Sequence, residues 1–340
     1  MKKLMALIAA LVMVSGLAYA DDQWDFYGSA RVSTFWNTID ANTAGVADVD
    51  QFDQALQGNS RIGATVKVSD EVGGGFEYGT TVNVRKLYGT WNFGSGSLKV
   101  GQDYTPLNWF LSNQVYGADS DLLFYGGIFS GRAAMLQLTM GGLKVALVDP
   151  ATAGIAPFNT VEVKMPAIEV SYTMKMDALT LMLGGGYQTF EVTNAGGVND
   201  DVVSYVVAVG GTVKVGPGYI NADLFTGQNV GNLMTITTGG TNAVATANAT
   251  SVLDNDALGY MIAAGAKIND MFAVEAGFGA VSVDMEAANT PDDDVTSYYV
   301  QATITLAPGV TITPEIGVID FEETAQNKNT YFGAKWQINF

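Results

Sequence analysis

A chain of 340 residues with no histidine and no cysteine lacks the commonest general base, the thiol nucleophile and the usual zinc ligands, so neither an enzyme nor a metal or cofactor site is expected. A formal net charge of −18 argues against a nucleic-acid partner, which needs a basic surface. Forty glycines against 8 prolines suit tight turns between strands, and no helical periodicity longer than about two turns runs through the chain beyond its first segment.

Lys2 and Lys3 precede an apolar run from Leu4 to Leu17 and then Ala18-Tyr19-Ala20, which reads as a secretory signal peptide over 1–20 cleaved after Ala20. The run is shorter than the ~20 residues of a spanning helix, so residues 21–340 are expected to form one exported domain. Its first strand, Trp24 to Trp36, alternates. Trp24, Phe26, Gly28, Ala30, Val32, Thr34 and Trp36 fall on one face; Asp25, Tyr27, Ser29, Arg31 and Ser33 fall on the other. A loop of about twenty residues is expected next. Ser60 to Ser69 follows with Ile62, Ala64, Val66 and Val68 outward and Arg61, Thr65 and Lys67 inward. Phe76 to Val84 and Leu87 to Phe93 are read as a hairpin with a very short connection at Arg85-Lys86. Gly94-Ser95-Gly96 then turns the chain into Leu98 to Tyr104.

The same pattern continues through Arg132 to Met140, Leu143 to Val148, Ile168 to Met176, Leu179 to Glu191, Val202 to Val215 and Tyr219 to Phe225. Gly227 to Asp256, rich in Thr, Ala, Asn and Gly, reads as a mobile surface loop. Leu258 to Ile268, Phe272 to Val283, Thr296 to Leu306, Val310 to Phe321 and Thr330 to Phe340 complete sixteen strands. In the last, Phe332, Ala334, Trp336, Ile338 and Phe340 share one face and Tyr331, Lys335, Gln337 and Asn339 the other.

Strands near ~10 residues with one apolar and one polar face, joined alternately by tight turns and long polar loops, describe a transmembrane antiparallel β-barrel. The expected architecture is all-β, with sixteen strands, short periplasmic turns and long extracellular loops. Closure removes the sheet edges that lipid cannot satisfy. The glycines at 184–186, 277 and 279 mark either barrel curvature or close packing. Acidic residues crowd the presumed loops, notably Asp48, Asp50 and Asp53, Asp254 and Asp256, and Asp292 to Asp294, without the spacing of a calcium loop. Lysines and arginines sit on inward strand faces, including Lys67 and Lys99.

The run Arg85-Lys86-Leu87-Tyr88-Gly89-Thr90-Trp91, the stretch Gly96 to Leu107, the motif Arg61-Ile62-Gly63 and the terminal Phe340 resemble the Gram-negative general diffusion porins. The resemblance implies a trimer of sixteen-stranded barrels, each with its own pore. It also implies that the loop after the fifth strand, about Pro106 to Gly131, folds inward as a constriction. Arg31, Arg61, Arg85 and Arg132 then form the basic side of the eyelet and Asp119 and Asp121 the acidic side. The family's acidic Pro-Glu-Phe-Gly-Gly motif is missing, and Tyr116-Gly117 and Phe124-Tyr125-Gly126-Gly127 stand near its place. Arg85 lies where the inward and outward phases shift, which is compatible with a hairpin tip.

The function so implied is passive diffusion of ions and small hydrophilic solutes across the outer membrane. An acidic mouth adds the expectation of modest cation selectivity. A sugar- or anion-selective porin is the alternative within transport, with Tyr116, Phe124 and Tyr125 as candidate lumen aromatics; an envelope anchor or scaffold is the alternative outside it. Implied partners are outer-membrane lipid and lipopolysaccharide, further copies of the chain, and the barrel-assembly machinery, which would read Trp336 and Phe340 in the closing strand.

Overall fold

The computed structural model describes residues 24–41, 47–288, 290–322 and 328–340; the expected signal peptide lies outside them. The strands are β1 (Trp24–Asp40), β2 (Val49–Leu56), β3 (Arg61–Lys67), β4 (Val72–Gly79), β5 (Val84–Asn92), β6 (Ser97–Tyr104), β7 (Arg132–Met140), β8 (Leu143–Val148), β9 (Phe158–Glu162), β10 (Ala167–Lys175), β11 (Leu179–Asn194), β12 (Asn199–Val215), β13 (Gly218–Gln228), the short pair β14 (Thr246–Ala247) and β15 (Val252–Leu253), β16 (Asn255–Lys267), β17 (Phe272–Met285), β18 (Val295–Ala307), β19 (Val310–Phe321) and β20 (Lys328–Asn339). All but β14 and β15 belong to one 18-stranded sheet. β2 and β3 pair in succession with β1, and β9 and β10 with β11, so each couple is one interrupted stave. The result is a closed antiparallel barrel of sixteen staves.

β1 and β20 close it, in register from Ser29↔Asn339 to Asp40↔Lys328. Beyond that ladder Gly28 N donates to Phe340 O at 2.6 Å and Phe340 N to Gly28 O at 3.0 Å. The Phe340 ring lies across Gly28 so closely that a Cβ there would sit 2.4 Å from it. The alternation expected in β20 is observed: Phe332, Trp336 and Ile338 point outward and exposed, whereas Tyr331 is fully buried on the inner side. Tight turns follow the sequence signals, as at Gly141, whose φ of 58° suits a residue without a side chain.

Three features differ from expectation. The loop expected after Trp36 is largely strand, because β1 runs on to Asp40 and pairs with β2. β2 carries polar residues on both faces and so lacks the alternation that marks a strand in lipid. Arg85-Lys86 is not a connection. The chain turns at 80–83, and both residues lie inside β5. The segment after β13 is not a mobile surface loop: Val230, Met234, Ile236 and Ala243 are buried, and Thr235 N and Thr237 N donate to the carbonyls of Phe129 and Phe124. Its small residues suit this packing as well as they suit a flexible loop.

The lumen is partly filled by one loop. Between β6 and β7, residues 105–131 fold inward, and Leu107, Trp109, Leu111, Val115, Leu122 and Ile128 are buried in one apolar cluster with inward residues of the far wall. The glycine clusters make room for them. A Cβ on Gly184 would lie 2.7 Å from the Leu107 side chain, and one on Gly279 would lie 2.0 Å from the Tyr125 carbonyl. Close packing, rather than curvature alone, is what these glycines permit.

Candidate functional site

The inward loop is held by carboxylates from three staves of the far wall. Glu169 of β10 accepts from Leu107 N at 3.1 Å. Glu275 of β17 accepts from Asn113 N and Asn113 Nδ2, each at 2.7 Å, and from the hydroxyls of Tyr219 and Tyr299. Glu315 of β19 accepts from Val115 N at 2.7 Å and Tyr116 N at 3.0 Å. Loop amides that have left the sheet ladder thus receive charged acceptors, the stronger kind of hydrogen bond. The same bonds leave all three carboxylates buried behind the loop and away from the open part of the lumen.

The opposite wall is basic. In β4 and β5 the register passes from Glu77↔Lys86 to Tyr78↔Val84, leaving Arg85 as an extra residue. This bulge turns the neighbours Arg85 and Lys86 both inward, between outward Val84 and Leu87. The apparent phase shift in the sequence is therefore a β-bulge and not a hairpin tip. Arg85 is buried and donates to Glu77 Oε1 at 2.7 Å and Asn59 Oδ1 at 2.9 Å. Arg61 lies 3.7 Å from the other oxygen of Glu77, which also accepts from the Tyr27 hydroxyl at 3.0 Å.

Asp119 receives Arg31, Lys335 Nζ at 2.8 Å and Asn59 Nδ2 at 3.0 Å. These partners pin a loop tip in which Gly117, Ala118, Asp119, Asp121 and Leu122 all have φ between 52° and 66°. Non-glycine residues take up that left-handed conformation at a cost, and they keep it where surrounding contacts over-determine it. Asp121 makes no ion pair among the described residues. Burial, and next the charge of Asp119, push its carboxyl well above the usual range.

Arg132, where the loop rejoins the wall, donates to the Tyr104 hydroxyl at 2.9 Å and lies 5.0 Å from that ring's centre. Lys86 Nζ lies 5.0 Å from the same ring and 3.4 Å from Asp103. Arg31, Arg61, Arg85, Arg132 and Asp119 are thus brought to one side of the lumen. Lys99 joins them through Asp103 and sits 4.8 Å over the Tyr88 ring. Lys67 stands apart, exposed and paired with Asp70 in a turn at 2.7 Å. Tyr116, expected along the pore, instead anchors the loop: its ring stacks on Tyr331 at 3.8 Å and its hydroxyl donates to Asn37 at 2.7 Å. Tyr125 is buried against the far wall and does not line open space. Trp336 and Phe340 both face outward, with the Trp336 indole N–H donating to Thr34 Oγ1 at 3.1 Å.

Sequence reasoning missed Glu77, the three anchoring glutamates and the place of Lys335 beside Asp119. The available signal was an acidic residue at an inward strand position, which taken alone reads as ordinary lumen solvation. A cavity of about 610 Å³ opens beside the basic wall, lined by Tyr27, Ser29, Arg31, Arg61, Glu77 and Asn339 among others.

A closed sixteen-stranded barrel with one long loop folded into its lumen is the fold of Gram-negative outer-membrane porins. No protein-family model matches the chain, and no curated protein matches it. Among solved structures it is similar to the outer-membrane channel DcaP of Acinetobacter baumannii, with TM-score 0.74 and 17% identity over 93% of this chain and 97% of that one. It is also similar to OmpF of Salmonella typhi, solved in complex with daunomycin, with TM-score 0.63 and 14% identity over 94% and 99%. The anion-selective porin of Comamonas acidovorans gives TM-score 0.61 and 14% identity over 93% and 99%. At such identities the likeness is one of fold. No helix among the described residues is long and apolar enough to cross a membrane; the strands form the wall.

Proposed function

We propose that the protein is a passive diffusion channel for ions and small hydrophilic solutes across the outer membrane, with a constriction that favours anions. One observation carries the reading. Arg31, Arg61, Arg85, Lys86, Lys99 and Lys335 pair with Glu77, Asp103 and Asp119 along one wall, with Arg132 beside them in no ion pair among the described residues, while Glu169, Glu275 and Glu315 of the other staves are buried behind the inward loop and accept from its amides. The excess of positive charge borders the open side of the lumen. The acidic mouth pulls the other way, but exposed charges are screened beyond ~8 Å at physiological salt and enclosed ones much less. The constriction therefore sets the sign, and the cation preference expected from the mouth alone gives way to an anion preference. The similarity to a porin described as anion-selective agrees with this. Hydrolytic chemistry is no part of the proposal, since the chain has no histidine and no cysteine.

The same reading takes the chain to be exported by its first 20 residues, recognised for assembly through β20, and associated as a homotrimer in outer-membrane lipid and lipopolysaccharide. The test is the zero-current potential of purified channels in a planar bilayer across a potassium chloride gradient. Chloride should be preferred, and Arg61→Ser with Arg132→Ser should move the potential toward potassium. A wild-type channel preferring potassium, unmoved by the double substitution, would sink the proposal.

A further inference from the structure

The inward loop buries nearly all of its large apolar side chains, with one conspicuous exception. Leu107, Trp109 and Leu111 are 0%, 2% and 7% exposed, yet Phe110 between them is 49% exposed. Its ring meets Tyr104 edge-on with centres 5.1 Å apart and lies 6.2 Å from Phe129. Phe129 in turn lies 5.7 Å from Phe124. A continuous strip of rings thus borders the lumen, formed by residues other than Tyr116 and Tyr125. Loop packing does not require it, because a polar residue at 110 would leave the buried cluster intact.

The strip ends at unspent positive charge. Arg31, Arg61 and Arg85 each face a carboxylate, whereas Arg132 makes no ion pair among the described residues and donates to the Tyr104 hydroxyl. Its guanidinium and the Phe110 ring approach the same Tyr104 ring at 5.0 Å and 5.1 Å, with Lys86 Nζ at 5.0 Å. An aromatic surface and a guanidinium with N–H donors beyond the one given to Tyr104 are therefore neighbours. A planar ring bearing a carboxylate satisfies both: the ring packs on the exposed Phe110, which Tyr104 and Phe129 hold in place, and the carboxylate accepts from Arg132. A saturated ring acid keeps the charge and loses the ring contacts.

We infer that the constriction holds a subsite for small aromatic carboxylates, formed by Phe110, Tyr104 and Phe129 with Arg132 and Lys86. The inference rests on the channel reading and narrows its substrate class. Conduction requires such a site to hold its ligand weakly, so affinities in a range compatible with rapid release are expected.

The probes are benzoate and cyclohexanecarboxylate, titrated onto the folded full-length barrel in detergent micelles, with binding read from broadening of the ligand proton resonances. Benzoate should bind about tenfold more tightly, the equivalent of ~1.4 kcal/mol for the ring contacts. Phe110→Ala, at an exposed position, should abolish most of that ratio, whereas Arg132→Gln should weaken both acids and leave the ratio standing. Equal binding of the two acids by the wild type, or a ratio untouched by Phe110→Ala, overturns the subsite. The measurement does not depend on conduction. A barrel that fails to conduct chloride defeats the channel reading while the titration still decides the subsite.

Discussion

Glu275 is the point at which the inward loop is most densely held, and Glu275→Ala should release the loop without unfolding the barrel. The carboxylate accepts from Asn113 N and Asn113 Nδ2 at 2.7 Å each and from the Tyr219 and Tyr299 hydroxyls. Removing it leaves at least the Asn113 N–H and the Tyr299 hydroxyl without their charged acceptor, at about 1–3 kcal/mol for each buried donor left unmade. Ser112 Oγ, 3.1 Å from the Tyr299 hydroxyl, is a partial substitute, which favours the lower half of the range. The backbone ladders of β17 with β16 and β18 do not involve the side chain, so the barrel stays closed, and the loss falls on loop docking and on the buried Tyr299 hydroxyl that the docked loop covers. At ~1.4 kcal/mol per factor of ten, a loss of ~2–4 kcal/mol raises the undocked population by roughly one to three orders of magnitude. Single-channel recording should show this as frequent current fluctuations in place of a quiet open level, with Glu275→Gln intermediate. An alanine variant as quiet as the wild type, shown to be folded by its heat-modifiable mobility, would refute the anchoring argument.

The two loop carboxylates should behave differently. Asp119→Asn, by removing the partner of Arg31 and Lys335, should shift the zero-current potential further toward chloride, whereas Asp121→Asn, which removes no ion pair among the described residues, should shift it less. Burial, then Asp119, raises the Asp121 carboxyl, with Glu275 in the same sense and Lys335 and Arg31 opposed. A group that holds its proton more tightly when folded stabilises below its unfolded pKa and loses that contribution as pH rises through the folded value. Current fluctuations should therefore grow from acid to alkaline pH, and Asp121→Asn should remove that dependence. Deleting Phe340 should reduce the heat-modifiable barrel in the outer-membrane fraction, because the seam loses its paired bonds to Gly28; normal accumulation would show that the closing residue is dispensable. Mass measurement in mild detergent should give three copies, and a conducting monomer would overturn the expected homotrimer.

Much of the barrel was legible because lipid imposes a local rule. A residue's side of the wall depends only on its position within a strand, so Phe332, Trp336 and Ile338 could be placed outward and Arg31 and Lys335 inward from a period of two. The rule fails where its cause is absent. β2 is polar on both faces and went unread as a strand. At Arg85-Lys86 one extra residue shifts the phase, and a turn and a bulge look alike until the partner strand supplies the register.

By itself, then, the sequence determined the class of fold, the number of staves and the closing strand, which follow from periodicity and short-range turn chemistry, whereas the arginines of the basic wall were implied by the resemblance to the porin family. Only the tertiary structure decided what those arginines face. Asn113 meets Glu275 across 162 positions and Val115 meets Glu315 across 200, and no local pattern distinguishes a glutamate that anchors a loop from one that merely faces water. Segment 229–254 reads as flexible by composition and is packed because the inward loop lies beneath it. Whether Phe110 is buried or open was settled in the same way, since exposure belongs to what surrounds a side chain and not to the side chain.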